Sequence, residues 1–304
     1  MTPALIALDW GTSSLRGYAI AADGAVLEDR AEALGIMQVA DGDFHAALRR
    51  FCGDWLDAWP AAALLASGMI GSKQGWQEAP YCPCPADAEA IAQSVIHVHV
   101  GGGRVLHIVP GVSFLDPQSG VPDVMRGEET QIIGAVPQTG TQLVVLPGTH
   151  SKWVRVHNGV IESFSSWMTG EIYAALVSHT ILGRLMAADA PHDADAFARG
   201  IGYGFEQPSL LLSRLFSART LGLFEKFDAA ALPSYLSGLL IGTEIGAATG
   251  RAELANPLLL LGSRHLTERY ATACTLAGWA TTAGEDDSAA RGLYRLARAA
   301  SLLD

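Results

Sequence analysis

The chain has 304 residues, is 49% hydrophobic and 17% charged, and carries a net charge of −11. That length suits two domains of ~150 residues, and that composition buries a sizeable core and excludes a disordered chain. The acidic balance argues against nucleic-acid and membrane-surface partners, so an anionic ligand must meet a local basic site.

The first 30 residues read as a β-meander. Ile6-Ala7-Leu8-Asp9-Trp10 is an apolar strand, Gly11-Thr12-Ser13-Ser14 a turn, Leu15 to Ile20 a second strand, and Asp23-Gly24 a hairpin signal. Asp9 interrupts the N-terminal apolar stretch and no basic residue precedes Arg16, so no signal peptide is expected. No apolar run approaches the ~18 residues of a membrane span, and a cytoplasmic protein is expected. His45 to Trp59 carries Leu48, Phe51, Cys52, Trp55 and Leu56 at helical spacing. Ala61 to Met69 reads as a buried strand opening into the glycine-rich loop 68–76, a candidate binding loop. Val95 to Val109 reads as a hairpin around Gly101-Gly102-Gly103, with His97 and His99 on a solvated face. Asp123 to Ala135 reads as a loop entering a helix.

The strand–turn–strand block then occurs a second time. Val144 to Leu146 leads into Pro147-Gly148-Thr149-His150-Ser151-Lys152, then Trp153 to Val156, then the hairpin signal Asn158-Gly159. Each Gly-Thr turn offers backbone N–H groups and a hydroxyl to one side, which suits a phosphate chain. Two such turns suggest two similar lobes, 1–136 and 137–304, sharing one polyphosphate.

Thr169 is the expected N-cap of a helix from Gly170 to about Ala187. Leu236 to Ala248 is an expected helix with Gly238, Gly242 and Gly246 along one face, where either another helix or a ligand approaches closely. Pro257 to Leu261 is a buried strand running through Gly262-Ser263-Arg264 into a helix that ends near Gly278. That geometry presents free helix N–H groups to a nucleotide. Arg291 to Leu302 is a final amphipathic helix. Cys52 and Cys274 read as core thiols, and Cys82-Pro83-Cys84 is too close for an ordinary bridge and lacks a second ligand pair.

The paired Gly-Thr hairpins, with a strand–Gly-Ser–helix near the C-terminus, resemble the actin, hexokinase and sugar-kinase superfamily. Six segments narrow the resemblance: 9–16 (Asp-Trp-Gly-Thr-Ser-Ser-Leu-Arg), 68–72 with 75–76 and 79–81, 125–131 (Met-Arg-Gly-Glu-Glu-Thr-Gln), 147–154 (Pro-Gly-Thr-His-Ser-Lys-Trp-Val), 168–171 (Met-Thr-Gly-Glu) and 236–242. In order and over nearly the whole chain they resemble the 2-dehydro-3-deoxygalactonokinase family. The resemblance implies an α/β fold of two ribonuclease-H-like lobes of the actin/hexokinase type with a central cleft. It implies phosphorylation of 2-dehydro-3-deoxy-D-galactonate at its C6 hydroxyl by ATP and Mg²⁺. A kinase for another sugar on the same fold and a non-catalytic nucleotide-dependent regulator are the alternatives. Homo-oligomerisation stays open.

Phosphoryl transfer needs a metal, phosphate donors and an oriented hydroxyl. By the resemblance, Asp9 is the Mg²⁺ carboxylate, acting through water. Gly11, Thr12 and Ser13 meet the phosphates from one lobe, and Gly148, Thr149 and His150 from the other, with Gly170 beside them. Pro147 stands where some superfamily members carry an acid. Gly262 and Ser263, with Arg264, are the adenosine-side residues. Lys152 either reaches a phosphate or is an exposed strand-end lysine. The base is Glu128, with Glu129 the second choice. The loop residues Gly71, Ser72, Lys73, Gln74 and Trp76 are expected to bind the sugar acid, and Lys73, Arg16 or Arg126 to meet its carboxylate.

Overall fold

Leu5–Trp10 (β1), Leu15–Ile20 (β2) and Val26–Glu32 (β3) form the expected antiparallel meander, with Asp9 opposite Arg16. The structure is a computed structural model and describes residues 2–250 and 257–303. Helix α1 (Phe44–Ala58) begins where Asp43 accepts the Ala46 N–H at 2.9 Å, a side-chain cap on an otherwise orphaned donor. Its stripe of Leu48, Phe51 and Trp55 is buried in one cluster with Leu8, Trp10 and Leu15. A Cβ at Gly17 would lie 2.7 Å from the Phe51 ring, so β2 needs glycine there for α1 to pack this closely.

Ala63–Ser67 (β4) lies parallel to β1, with Ser67 level with Asp9. Tyr81–Pro83 (β5) and Ala88–Ala92 (α2) follow, then the expected hairpin of Ile96–Gly101 (β6) and Arg104–Ile108 (β7). The sheet order is β3-β2-β1-β4-β7-β6. β1 is central in that order, which explains a strand apolar on both faces. Gly111–Leu115 (β8) and Pro122–Met125 (β9) join β5 in a separate three-stranded sheet. Residues 123–125 are therefore strand, where the sequence suggests loop. The period-2 signal is lost in these segments of five residues or fewer, and strand pairing decides them. Glu128–Ala135 (α3) then packs on the last helix, α10 (Ser288–Ala299), backbone to backbone: a Cβ on Gly134 would meet the Ser288 carbonyl.

The second sheet has the order β12-β11-β10-β13-β14, from Thr141–Leu146 (β10), Ser151–His157 (β11), Val160–Trp167 (β12), Leu258–Leu260 (β13) and Thr281–Ala283 (β14). Asn158 and Gly159 both have positive φ (50° and 78°), the conformation an Asn-Gly hairpin turn requires. Helix α4 spans Thr169–His179 and stops eight residues before Ala187. Thr180 leaves the helix in extended conformation, and a Cβ on Gly183 would collide with the Val177 carbonyl, so the chain folds back tightly there. The N-cap is Met168, and Thr169 lies inside the first turn with its hydroxyl engaged elsewhere.

Helices α5 (Ala194–Glu206), α6 (Leu211–Leu215), α7 (Ser217–Leu223), α8 (Ala231–Thr249) and α9 (Arg264–Leu276) complete this part. The glycine face of α8 packs on α5. A Cβ on Gly238 would lie 2.1 Å from the Phe197 carbonyl oxygen and one on Gly242 2.3 Å from that of Ile201, while Gly200 and Gly204 of α5 are reciprocally tight against α8. Helix packing therefore explains the glycines. The chain divides into two compact units, Met1–Thr141 with Arg155–Phe164 and Glu285–Asp304, and Gln142–Val154 with Ser165–Gly284.

Candidate active site

In the first unit, three segments converge on Asp9. β1 ends at Trp10 and the first Gly-Thr turn closes with the Gly11 N–H donating to the Ser14 carbonyl at 2.9 Å. Thr12 and Ser13 are exposed at its tip. β4 ends at Ser67, and Gly68 turns away with φ of 93°; a Cβ there would lie 2.8 Å from the Trp10 carbonyl. α3 begins after Gly127, whose φ is 103° and whose Cβ position lies 3.2 Å from the Gly68 Cα. The two left-handed glycines let the start of α3 approach the end of β1.

Asp9 has its carboxyl pushed upward, first by burial and then by the nearby charge of Glu128, against the lowering effect of Arg16. Arg16 is exposed and hydrogen-bonds Tyr18. Glu128 is half-buried and accepts the Arg126 N–H at 3.0 Å. Glu129 is fully buried and accepts from the Gly127 N–H at 2.7 Å and the Thr130 hydroxyl at 3.0 Å. Burial first, and Glu128 second, push Glu129 up to about 8, so it is a neutral acid at pH 7 and Glu128 is the half-accessible member of the pair.

Arg126 is buried beneath the loop 68–76. Its Nη2 donates to the Ala79 carbonyl at 2.8 Å, its guanidinium stacks on Tyr81 at 4.4 Å, and its Nε and Nη1 have no partner. Nη1 is 3.0 Å from where a Gly71 Cβ would stand. The buried Ser72 and Ser67 hydroxyls likewise lack partners. Buried donors left unpaired are costly, and an anion or polyol is the kind of ligand that satisfies them. Lys73 and Gln74 are exposed, whereas Trp76 stacks on Phe44 at 5.9 Å and packs on the core.

In the second unit, Gly148 is half-buried and Thr149 and His150 are exposed. Helix α4 docks on this turn. The Glu171 N–H donates to the Thr149 carbonyl at 3.0 Å, the Glu171 carboxylate pairs with His150 Nε2, and a Cβ on Gly170 would lie 2.6 Å from the Gly148 carbonyl. Lys152 is buried, which removes the exposed reading of that lysine. Gly262, Ser263 and Arg264 are exposed, and Gly262 takes φ of 129° before α9.

Among the described residues no three His, Cys, Asp or Glu side chains converge as a metal cage. Asp9 offers a carboxylate at the end of β1, which suits a cation that keeps waters and takes its remaining ligands from phosphates, as Mg²⁺ does. Among the described residues no helix is long and apolar enough to cross a membrane.

The sequence profile of the 2-keto-3-deoxy-galactonokinase family matches residues 9–296. The chain belongs to that family. Membership in the 2-keto-3-deoxy-galactonokinase family bears out the kinase reading over a non-catalytic regulator. The chain is 32% identical over 289 residues to the 2-dehydro-3-deoxygalactonokinase of Escherichia coli (strain K12), covering 95% of each chain. It is 39% identical over 306 residues to a Rhizobium meliloti (strain 1021) protein described as a probable 2-dehydro-3-deoxygalactonokinase, covering 96% of each. A Sinorhizobium meliloti crystal structure provisionally assigned the same activity superposes with a TM-score of 0.89 at 37% identity, covering 97% of this chain and 98% of that one. Component A of the (R)-2-hydroxyglutaryl-CoA dehydratase of Acidaminococcus fermentans, at TM-score 0.50 and 11% identity, shares the fold alone. The α/β architecture of mixed sheets flanked by helices is the fold class that the sequence suggests.

Within this 2-keto-3-deoxy-galactonokinase chain, several residues at the site escape sequence reasoning. Ser67 and Tyr18 carry no motif signal. Glu171 stands in the segment 168–171, but only the fold pairs it with His150. The two glycines that shape the Asp9 corner, Gly68 and Gly127, do sit in recognisable segments, each immediately flanking a functional run.

Proposed function

We propose that the chain transfers the γ-phosphoryl group of ATP to the C6 hydroxyl of 2-dehydro-3-deoxy-D-galactonate, giving the 6-phosphate, in the cytoplasm. Family membership and relatives covering 95–96% of the chain support this reading. The observation that carries the residue roles is the Asp9–Glu128–Arg126 corner beside a Gly-Thr turn.

Residues 1–136 carry the acid-binding and first phosphate elements, and 137–304 the second phosphate and adenosine elements. Thr12 and Ser13 with the Gly11 N–H, and Thr149 and His150 with Gly148 and Gly170, grip the phosphates. Lys152 adds positive charge on that side. Gly262 and Ser263 take the adenosine end. Asp9 would hold Mg²⁺, which when bound would neutralise phosphate charge. Glu128 orients the C6 hydroxyl and takes its proton as the oxygen–phosphorus bond forms. Neutral Glu129 stands behind it and cannot serve as a base in that state. The unpartnered donors at Arg126 Nε and Nη1 are offered to the carboxylate of the sugar acid, with Gly71 beside Nη1. Arg16, Lys73 and Gln74 are exposed and contribute at the mouth, and Trp76 walls the loop from the core side.

The test is Glu128→Gln in a coupled ADP-release assay with ATP and Mg²⁺. A fall in kcat of roughly 10²-fold or more, with both KM values little changed, is expected. A variant with near-normal kcat would refute Glu128 as the base. The galactonate acid is compared with its gluconate epimer; turnover of neither overturns the substrate.

A further inference from the structure

Among the described residues two acids are almost completely enclosed, Glu129 at 0% and Glu244 at 2% exposed. Glu244 lies on α8, and the reaction as proposed does not use it. Burying a carboxylate is costly unless every lone pair finds a donor. Here Oε1 accepts from Trp153 Nε1 at 2.8 Å, and Oε2 accepts from the Tyr270 hydroxyl at 2.7 Å and from the Thr169 hydroxyl. The Tyr270 hydroxyl also bonds the Ser151 hydroxyl at 2.8 Å.

The donors come from three separate segments. Ser151 and Trp153 directly follow the turn Gly148-Thr149-His150. Thr169 precedes Gly170 and Glu171, the residues that dock α4 on that turn. Tyr270 lies on α9, which Gly262 and Ser263 introduce. One carboxylate thus ties together all three segments to which the second unit owes its nucleotide-facing residues. Burying a carboxylate is costly in itself, and the three donors gathered on it would be orphaned without it, so the acid is best explained by the arrangement it imposes on them.

We infer that Glu244 is a positioning residue for the nucleotide: it holds the second Gly-Thr turn, the start of α4 and the helix α9 in one arrangement without touching the ligand. This rests on the kinase reading for the existence of a nucleotide site. It adds a residue that neither the motifs nor the exposed loops point to.

The test uses the full chain and measures Kd for MgATP by calorimetry, beside the thermal midpoint. Glu244→Ala is expected to weaken MgATP at least tenfold and to leave the KM of the sugar acid within about twofold. Glu244→Gln is expected to restore most of the affinity, because its amide keeps the Trp153 bond and both hydroxyls can turn to accept. Leu236→Ala, a buried apolar truncation on the same helix, is the control for lost stability. It is expected to lower the midpoint as much with Kd changed less than twofold. If Glu244→Ala does not fold, Thr169→Val removes one donor at constant shape and is expected to weaken MgATP about threefold or more. Wild-type affinity in the folded variant, or an equal loss in Leu236→Ala, overturns the inference while leaving the kinase intact. A wild-type chain that binds no MgATP overturns the kinase reading and this inference together.

Discussion

Glu129→Gln isolates the energetic cost of the enclosed acid beside the proposed base. In the fold the group titrates at about 8 against an ordinary 4.5. Below 4.5 the folded and unfolded chains both hold the proton, and the group contributes nothing to the pH dependence. Between 4.5 and 8 the unfolded chain has lost the proton and the fold keeps it, so stability falls as pH rises. Above 8 the cost is complete. At ~1.4 kcal/mol for each pK step, the whole window is worth about 5 kcal/mol, and the interval from about pH 5.5 to 7.5 about 3 kcal/mol. Glutamine removes the titration and keeps the contacts: its oxygen accepts the Gly127 N–H, and its amide donates to a turned Thr130 hydroxyl. Urea unfolding of both proteins at matched pH values supplies the assay, with equal m-values required so that midpoints compare. The stability difference, wild type minus variant, is expected to decline steadily with pH in favour of the variant. A difference that stays flat from about pH 5.5 to 7.5 refutes the neutral acid, and with it the reason for preferring Glu128 over Glu129.

Other substitutions probe the remaining arguments. Arg126→Ala is expected to raise the KM of the sugar acid about tenfold or more with the ATP KM unchanged within twofold, since a charge-assisted pair is lost; steady-state kinetics in each substrate decides it. Gly242→Ala forces a methyl to within 2.3 Å of the Ile201 carbonyl and is expected to cost ~1–3 kcal/mol by denaturation. Gly202→Ala, on the open face of α5 with nothing within 4 Å, is expected to be neutral or to stabilise by up to ~1 kcal/mol through helix propensity.

The two Gly-Thr hairpins were legible because strand, turn and hairpin signals are local and occur twice. So were α1, the β6–β7 hairpin and the strand–Gly-Ser–helix at 258–276. Partnerships between distant segments were not. The sheet of β5, β8 and β9 is built from short strands whose pairing no local pattern encodes. The helix α4 ends where the chain folds back and brings Gly183 against the Val177 carbonyl, a local reversal that the helical-looking run does not signal. The Glu128-Glu129 pair was visible as a candidate base, but which of the two is enclosed depends on the approach of α3 to β1, set by Gly68 and Gly127. Glu244 gave no signal at all, because an acid in an apolar glycine-spaced helix is unremarkable until its donors arrive from residues 153, 169 and 270.

The glycine seam between α5 and α8 has a mechanical consequence. Where side chains separate two helices, small slides are absorbed by rotamer changes. Here carbonyls of one helix sit directly against the bare Cα positions of the other at four-residue intervals. A slide shorter than one interval drives a carbonyl into a neighbouring Cβ, so α8 can move along α5 only by a whole step, ~6 Å at 1.5 Å per residue. The seam works as a ratchet with a single occupied tooth. It leaves Glu244 no intermediate stops along the helix axis.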